Sequence, residues 1–358
     1  MRVLLTGAAG FIGSAVRAQL VADGHDVMAV DAMLPSAHGR SLEGNALANE
    51  GGSITLLDVR HRSALDAALR GVDVVCHQAA IVGAGVDAAD GPAFASHNDL
   101  GTATVLAAMA AAGCERLVLA SSMVVYGEGR YHCAEHGDQD PPARDPAALR
   151  AGNFDLACPR CGAPLDWAPV DEDAPLRPRS LYAASKTAQE HYSLAWARAT
   201  GGQVTALRYH NVYGSGMPRD TPYSGVAAMF RSALELGQAP RVYEDGQQMR
   251  DFIEVRDVAE LNARAVAEPL GAFTALNVCS GQPISIGAVA TALAAATDGP
   301  EPVTTGQFRP GDVRHIVASP RRAEELLGFR AAIAPDAGLR EFAAAPLRAV
   351  DGLARPSI

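Results

Sequence analysis

The first thirteen residues restrict the chain most. Residues 2–6, RVLLT, read as a short buried strand, and they run into Gly7-Ala-Ala-Gly10-Phe-Ile-Gly13, which opens an apolar-periodic stretch reaching about Ala22. Gly7 allows a tight turn, Gly10 lets the backbone approach a pyrophosphate, and Gly13 lets the helix pack closely. The anion then rests on unpaired amides at the positive end of the helix. The expected contacts from this turn are Gly7, Gly10, Phe11, Ile12 and Gly13. A second strand, Asp26 to Val30, ends at Asp31. A carboxylate there suits two ribose hydroxyls and repels a 2′-phosphate. Ala32 and Met33 offer no arginine for one, so the pattern favours NAD over NADP.

Further short apolar runs lie at Ile54–Leu57, Val72–Cys76, Arg116–Ala120 and Val204–Leu207, with helix-like stretches between several of them. This alternation predicts an α/β fold of the Rossmann type, a doubly wound parallel sheet with helices on both faces. After about residue 210 the rhythm loosens and Pro and Gly increase, which predicts a smaller C-terminal lobe. The expected division is residues 1–210 for the dinucleotide domain and 211–358 for most of the substrate-binding lobe.

One segment breaks the rhythm. From Gly127 to Arg179 the chain is polar and proline-rich, with no convincing strand or helix apart from Pro146–Ala151. A structureless loop of that length is improbable in a compact domain unless something staples it. Within this insert, residues 128–179, Cys133-x-x-His136 and Cys158-x-x-Cys161 form two metal-ligand half-sites. Three sulfurs and an imidazole suit tetrahedral zinc, in a structural role because four protein ligands leave no open position. Free thiols or a disulfide are the competing readings. Cys76, Cys114 and Cys279 sit in apolar surroundings and read as core residues.

The chain has 358 residues, 48% apolar and 20% charged, enough for a sizeable core. A net charge of −10 is the wrong sign for gripping nucleic acid or an anionic membrane through a broad basic surface. No apolar run has the length of a membrane span, and the glycines that follow the N-terminal strand occupy the place of a signal's apolar stretch. The expectation is a cytoplasmic protein without nucleic-acid or membrane partners. Of the 30 basic residues only Lys186 is lysine. It closes Tyr182-Ala-Ala-Ser-Lys186, which puts a phenol and an ammonium one helical turn apart on one face. An ammonium beside the phenol, together with a positive nicotinamide, favours the phenolate and makes it a usable base.

With these motifs in place the chain resembles, over nearly its whole length, the extended short-chain dehydrogenase/reductase family, in particular its NAD-dependent nucleotide-sugar epimerases and dehydratases. Asp58-Val59 resembles the family's adenine contact, and His77-Gln78-Ala79-Ala80 the loop beneath the cofactor. Asn98 opens an N-x-x-G-T helix and is a candidate cofactor contact, with a buried structural amide as the competing reading, and Ser121-Ser-Met-Val-Val-Tyr-Gly127 resembles the strand end carrying the catalytic hydroxyl, here Ser122. Arg208-Tyr-His-Asn-Val-Tyr-Gly214 resembles the segment whose asparagine, here Asn211, meets the substrate diphosphate. Arg250, Arg309 and Asp312 match two diphosphate and ribose clamps, and Tyr243 is a candidate for stacking on the base.

The resemblance implies a nucleotide-diphosphate sugar as partner. Tyr182 would remove a hydroxyl proton, Ser122 would steady the oxygen, and a hydride would pass from the same carbon to NAD⁺. Lys186 would bind the nicotinamide ribose and stabilise the phenolate. Family habit also implies a homodimer through a helix pair that includes the Tyr182 helix.

Two positions narrow the reaction. Dehydratases of this family carry Asp-Glu after the catalytic hydroxyl, whereas this chain has Met123-Val124, which cannot transfer protons. Val124 also stands where other relatives use a proton-shuffling cysteine. The expectation is therefore 4-epimerisation through a 4-keto sugar. The insert and the stretch Pro222–Phe230, which contributes Tyr223 as a candidate substrate contact, are similar to those of the family's bacterial branch acting on dTDP-L-rhamnose. A 4-ketoreductase, a UDP-hexose or uronate 4-epimerase and, more remotely, a non-catalytic NAD sensor stay open as alternatives.

Overall fold

The computed structural model describes residues 1–38, 48–49, 52–83, 87–219, 225–309 and 311–348. Its largest element is a sheet of seven strands: β1 (Arg2–Thr6), β2 (Asp26–Asp31), β3 (Thr55–Leu56), β4 (Val74–His77), β5 (Arg116–Ser122), β6 (Gln203–Tyr209) and β7 (Phe273–Val278). All pairings are parallel, in the order β3-β2-β1-β4-β5-β6-β7. Alternate residues of β1 enter opposite cores. Val3 and Leu5 pack with Val118, Leu207 and helices α1 (Phe11–Ala22) and α4 (Val255–Ala267), while Leu4 packs with Val75, Leu117 and helix α2 (Gly101–Ala112). Burial on both faces is why these strands read as unbroken apolar runs.

The strand expected at Val72–Cys76 begins at Val74, because the Val72 amide closes a turn on the Leu69 carbonyl. The order of strands reverses between β1 and β4. Ligands in open α/β sheets bind at such a switch point, beyond the carboxyl ends of the strands. Among the described residues no helix is long and apolar enough to cross a membrane.

The insert is more ordered than its sequence suggests. Arg130–Cys133 pairs antiparallel with both Gly137–Gln139 and Asp166–Ala168, and Pro146–Arg150 forms the short helix expected there. Strands of three or four residues are too short to leave a readable alternation, so this sheet was not anticipated.

The smaller lobe has its own core, which includes Tyr213, Phe230, Phe252, Leu293, Leu339 and Phe342. The chain does not stay there after residue 210, however: α4 packs beside α1 under β4, β5 and β6, and β7 joins the large sheet. The described residues after 210 thus supply the small lobe and also complete the large one.

Candidate active site

At the switch point the glycine turn is built as its chemistry requires. Gly7 has φ +68°, and a Cβ there would lie 2.7 Å from the Ala79 amide nitrogen. A Cβ on Gly13 would lie 2.0 Å from the Gly7 carbonyl oxygen. No side chain fits at either place, and the space beside the turn opens into a cleft of about 680 Å³. All the residues expected to meet the cofactor line this cleft except Asn98.

The Asp31 carboxylate accepts from the amides of Ala9 (3.0 Å) and Met33 (2.8 Å) and pairs with His38 at 3.4 Å. Burial opposes its charge, but these partners outweigh burial and hold it below the usual carboxylate range. Asp58 is held down to about 2, chiefly by the Arg60 guanidinium that grips it. The Gln78 side chain is engaged by Asn262 and Tyr209, which leaves its backbone to face the cleft. Asn98 requires a correction. It is fully buried, with its amide hydrogen-bonded to both backbone groups of Ile81 and donating to Ser185 Oγ. It therefore supports the loop beside the cleft from behind instead of facing a ligand.

Ser122 ends β5, and helix α3 (Leu181–Thr200) begins with Ser180, whose hydroxyl caps the Ala183 amide at 3.1 Å. This cap sets Tyr182 and Lys186 in the first two turns, facing the sheet. The Tyr182 hydroxyl shares a hydrogen bond with Ser122, yet burial pushes the phenol up to about 12. Lys186 donates to the Ala120 carbonyl at 2.9 Å; burial brings its ammonium down to about 8, against the pull of Glu190. Glu190 lies one turn further along α3, gripped by both ends of the Arg208 guanidinium (2.7 and 3.0 Å) and by the Ser121 hydroxyl. It was missed in the sequence, although its spacing of four from Lys186 was a usable signal.

The expected substrate residues lie on a different wall. Asn211 opens a strand paired with Phe252, and its Oδ1 is buried without a partner. Arg250 is half-buried and donates to the carbonyls of Met249, Val313 and Arg314. The Arg309 guanidinium sits 5.3 Å from the centre of the Tyr243 ring. Burial raises the Asp312 carboxyl, against the attraction of Arg309 and Arg250. His210 is buried, and burial lowers its imidazole to about 3, so it is neutral. Tyr223 lies outside the described residues.

The insert reaches this wall directly. Arg144 bridges both oxygens of Glu244 (2.8 and 2.9 Å) and donates to the Asp312 carbonyl at 2.6 Å. The Tyr131 hydroxyl accepts from the His315 amide at 3.0 Å and donates to Glu128 Oε2 at 3.4 Å, and Trp167 stacks on the His315 ring. Glu128 accepts from the Arg314 amide at 2.9 Å. These contacts were not legible in the sequence, since each joins residues a hundred or more positions apart, with the short-range motifs silent about them.

At the far end of the insert, Cys133, His136, Cys158 and Cys161 gather with all four ligand atoms within 4.8 Å of one another. Cys133 Sγ is 3.8 Å from Cys161 Sγ and 3.6 Å from His136 Nδ1, and Cys158 Sγ is 3.7 Å from His136 Nδ1. A tetrahedron with bonds of about 2.3 Å to sulfur and about 2.0 Å to nitrogen has edges of roughly 3.5–3.8 Å. Three of the six edges of the cluster thus match a zinc tetrahedron, and the others do not exceed 4.8 Å. Gly162, at φ +74°, makes the turn after Cys161, and its amide donates to the Cys158 carbonyl.

Comparison with known proteins agrees with this geometry. The model of the NAD dependent epimerase/dehydratase family matches residues 3–147 and 161–279. The chain is 33% identical over 345 residues to a dTDP-L-rhamnose 4-epimerase of Burkholderia thailandensis, covering 95% of this chain and 93% of the relative. It is 31% identical to a UDP-glucose 4-epimerase of Mycolicibacterium smegmatis, covering 95% and 96%. The crystal structure of Thermus thermophilus UDP-glucose 4-epimerase in complex with NAD superposes with a TM-score of 0.75 at 30% identity, covering 96% of this chain and 98% of that one. The chain thus belongs to the NAD-dependent epimerase/dehydratase family, and it is an enzyme of the isomerase class.

Proposed function

We propose that this protein is an NAD-dependent nucleotide-sugar 4-epimerase acting on a dTDP-deoxysugar such as dTDP-L-rhamnose. The observation that carries the reaction type is the hydrogen-bonded pair Ser122–Tyr182 beside a turn holding Met123 and Val124. That arrangement can move one proton at one oxygen and has no acid or base for removing water. The substrate assignment is supported by the relative acting on dTDP-L-rhamnose, by the insert and by the charged wall it completes.

The cleft fits a dinucleotide: the glycine turn excludes side chains, and Asp31 stays ionised to receive ribose hydroxyls. NAD, when bound there, supplies the acceptor for the C4 hydrogen and returns it. Tyr182 takes the proton of the C4 hydroxyl and gives it back to the ketone oxygen. Burial keeps its phenol protonated until positive charge is near, which Lys186 provides from one turn away. Ser122 holds the same oxygen. Asn211, Arg250, Arg309 and Asp312 hold the nucleoside diphosphate, with Tyr243 beneath the base. Cofactor contacts come from Gly7, Gly10, Phe11, Ile12, Gly13, Asp31, Asp58, Val59, Gln78, Ala79 and Ala80.

The insert's Cys133, His136, Cys158 and Cys161 hold a structural zinc. A second copy of the chain packs against the outer side of α2 and α3, where Leu100 and Tyr192 are about half exposed. The direct test is incubation of the purified protein with dTDP-L-rhamnose and no added cofactor, followed by proton NMR at C4. Formation of the C4 epimer supports the reading. Absence of change with dTDP-L-rhamnose, but turnover of a UDP or GDP sugar, replaces the substrate and keeps the chemistry.

A further inference from the structure

The dinucleotide carries two phosphate charges, and the glycine turn that would cradle them has no cationic side chain between Gly7 and Gly13. Among the described residues lining the cleft, only Lys186 and Arg348 are lysine or arginine. Lys186 is committed to the reacting end, beside Tyr182 and the Ala120 carbonyl. Arg348 comes from the opposite end of the chain. It follows the helix Pro335–Ala344 and is fixed by backbone pairing: its amide donates to the Met217 carbonyl (3.0 Å), its carbonyl accepts from the Arg219 amide (3.0 Å), and the Gly216 amide donates to the Pro346 carbonyl (3.0 Å). Met217 and Pro218, in the paired segment, line the cleft as well.

From this position the guanidinium crosses to the first turn. Its Nη1 donates to the Ala9 carbonyl at 2.8 Å, the residue immediately before Gly10, while its Nε is buried without a partner. Arg348 is half-buried, yet a guanidinium whose buried Nε donor goes unused is costly in an otherwise finished structure, and five N–H groups in a planar fork match phosphate geometry. Asp31 stands close enough to act on it electrostatically, which places the group between the ribose carboxylate and the diphosphate turn. We infer that Arg348 is a cofactor-binding residue, a guanidinium delivered by the small lobe onto the NAD diphosphate, so that residues 345–348 and 216–219 together strap the cofactor into its cleft. An enzyme that returns hydrogen to the carbon it came from needs its cofactor to stay, and a charge-assisted clasp from a second lobe serves that need.

The inference rests on NAD being the resident dinucleotide, and the test separates the two. Wild type, Arg348→Met and Arg348→Lys would each be assayed for NAD retained after gel filtration and for affinity toward NAD⁺, ADP-ribose and adenosine by calorimetry. Circular dichroism would check the fold. Arg348→Met should weaken NAD⁺ and ADP-ribose by roughly 10- to 100-fold, as expected for losing a hydrogen bond to a charged group. Adenosine should bind as before, and Arg348→Lys should recover part of the loss. Unchanged NAD⁺ affinity in Arg348→Met overturns the role of Arg348. Equal loss for adenosine also overturns it, because the strap would then be shaping the cleft instead of binding phosphate. Failure of wild type to bind NAD⁺ overturns the cofactor reading itself.

Discussion

The two walls of the active site are made of different materials. The dinucleotide wall is mainly backbone: a turn in which Gly7 and Gly13 admit no Cβ, closed by Ala79 and anchored at the end of β2 by one carboxylate. The wall proposed for the nucleotide sugar is made of largely buried charged side chains, with Arg144, Arg250, Glu244 and Arg314 interlocked between the insert and the small lobe. Backbone recognition depends on a few adjacent residues. Charge recognition depends on partners that only the tertiary fold brings together, and such interactions cost stability when half of one is removed. In the proposed reading the first wall holds a cofactor that does not change between substrates. The second can be rebuilt while the first stays constant, which is a physical reason why relatives sharing this fold are named for different sugars.

If the walls are separate in this way, changes on one should leave the other's ligand alone. The largest effect is expected at the seam. Tyr182→Phe should lower kcat roughly 10²- to 10⁴-fold, the usual loss of a general acid–base group, with NAD still bound. Loss of NAD in that variant would mean that the phenol is part of the cofactor wall. Gly13→Ala should come next, because its Cβ would press on the Gly7 carbonyl. Dinucleotide affinity should fall by at least an order of magnitude, and binding of the nucleoside diphosphate alone, followed by calorimetry, should persist.

Arg144→Met breaks the opposite wall. It removes the cation between Glu244 and the Asp312 carbonyl, so KM for the nucleotide sugar should rise roughly tenfold, the worth of about one charge-assisted hydrogen bond. NAD content should not change. Metal analysis of the wild type should give one zinc per chain, and Cys158→Ser should lose it, lower Tm and raise KM while NAD is retained. A mutant that keeps both its zinc and its Tm would separate the insert from the wall.

The smallest expected effect is in the pH profile. Lys186 is lowered to about 8, so it is charged below that pH and loses its proton above it. The rate should therefore decline on the alkaline side of about pH 8, as Tyr182 loses its neighbouring charge. Lys186→Arg, slower overall, should lack that decline.

The same contrast explains what could be read from the chain. The glycine turn, Asp31 and the Tyr182–Lys186 pair were legible because each is a local pattern on a single strand, turn or helix. Asn98 was misplaced because its motif marks a position in a helix, whereas its role depends on Ile81 and Ser185 across the fold. The insert's strands were too short to show periodicity, yet the grouping of Cys133, His136, Cys158 and Cys161 followed from their spacing. Glu190, Arg144 and Arg348 were missed for related reasons. Glu190 acts through Lys186 and Arg208, Arg144 meets Glu244 a hundred residues away, and Arg348 meets Ala9 from the other end of the chain.

The central claim is that hydrogen leaves C4 and returns to C4 without leaving the site. The enzyme as isolated should be given dTDP-L-rhamnose carrying deuterium at C4, with excess unlabelled NADH in solution, and the epimer examined by NMR and mass spectrometry. The account predicts that the C4 epimer keeps its deuterium in full. Replacement of that deuterium by protium from water or from added NADH would contradict it.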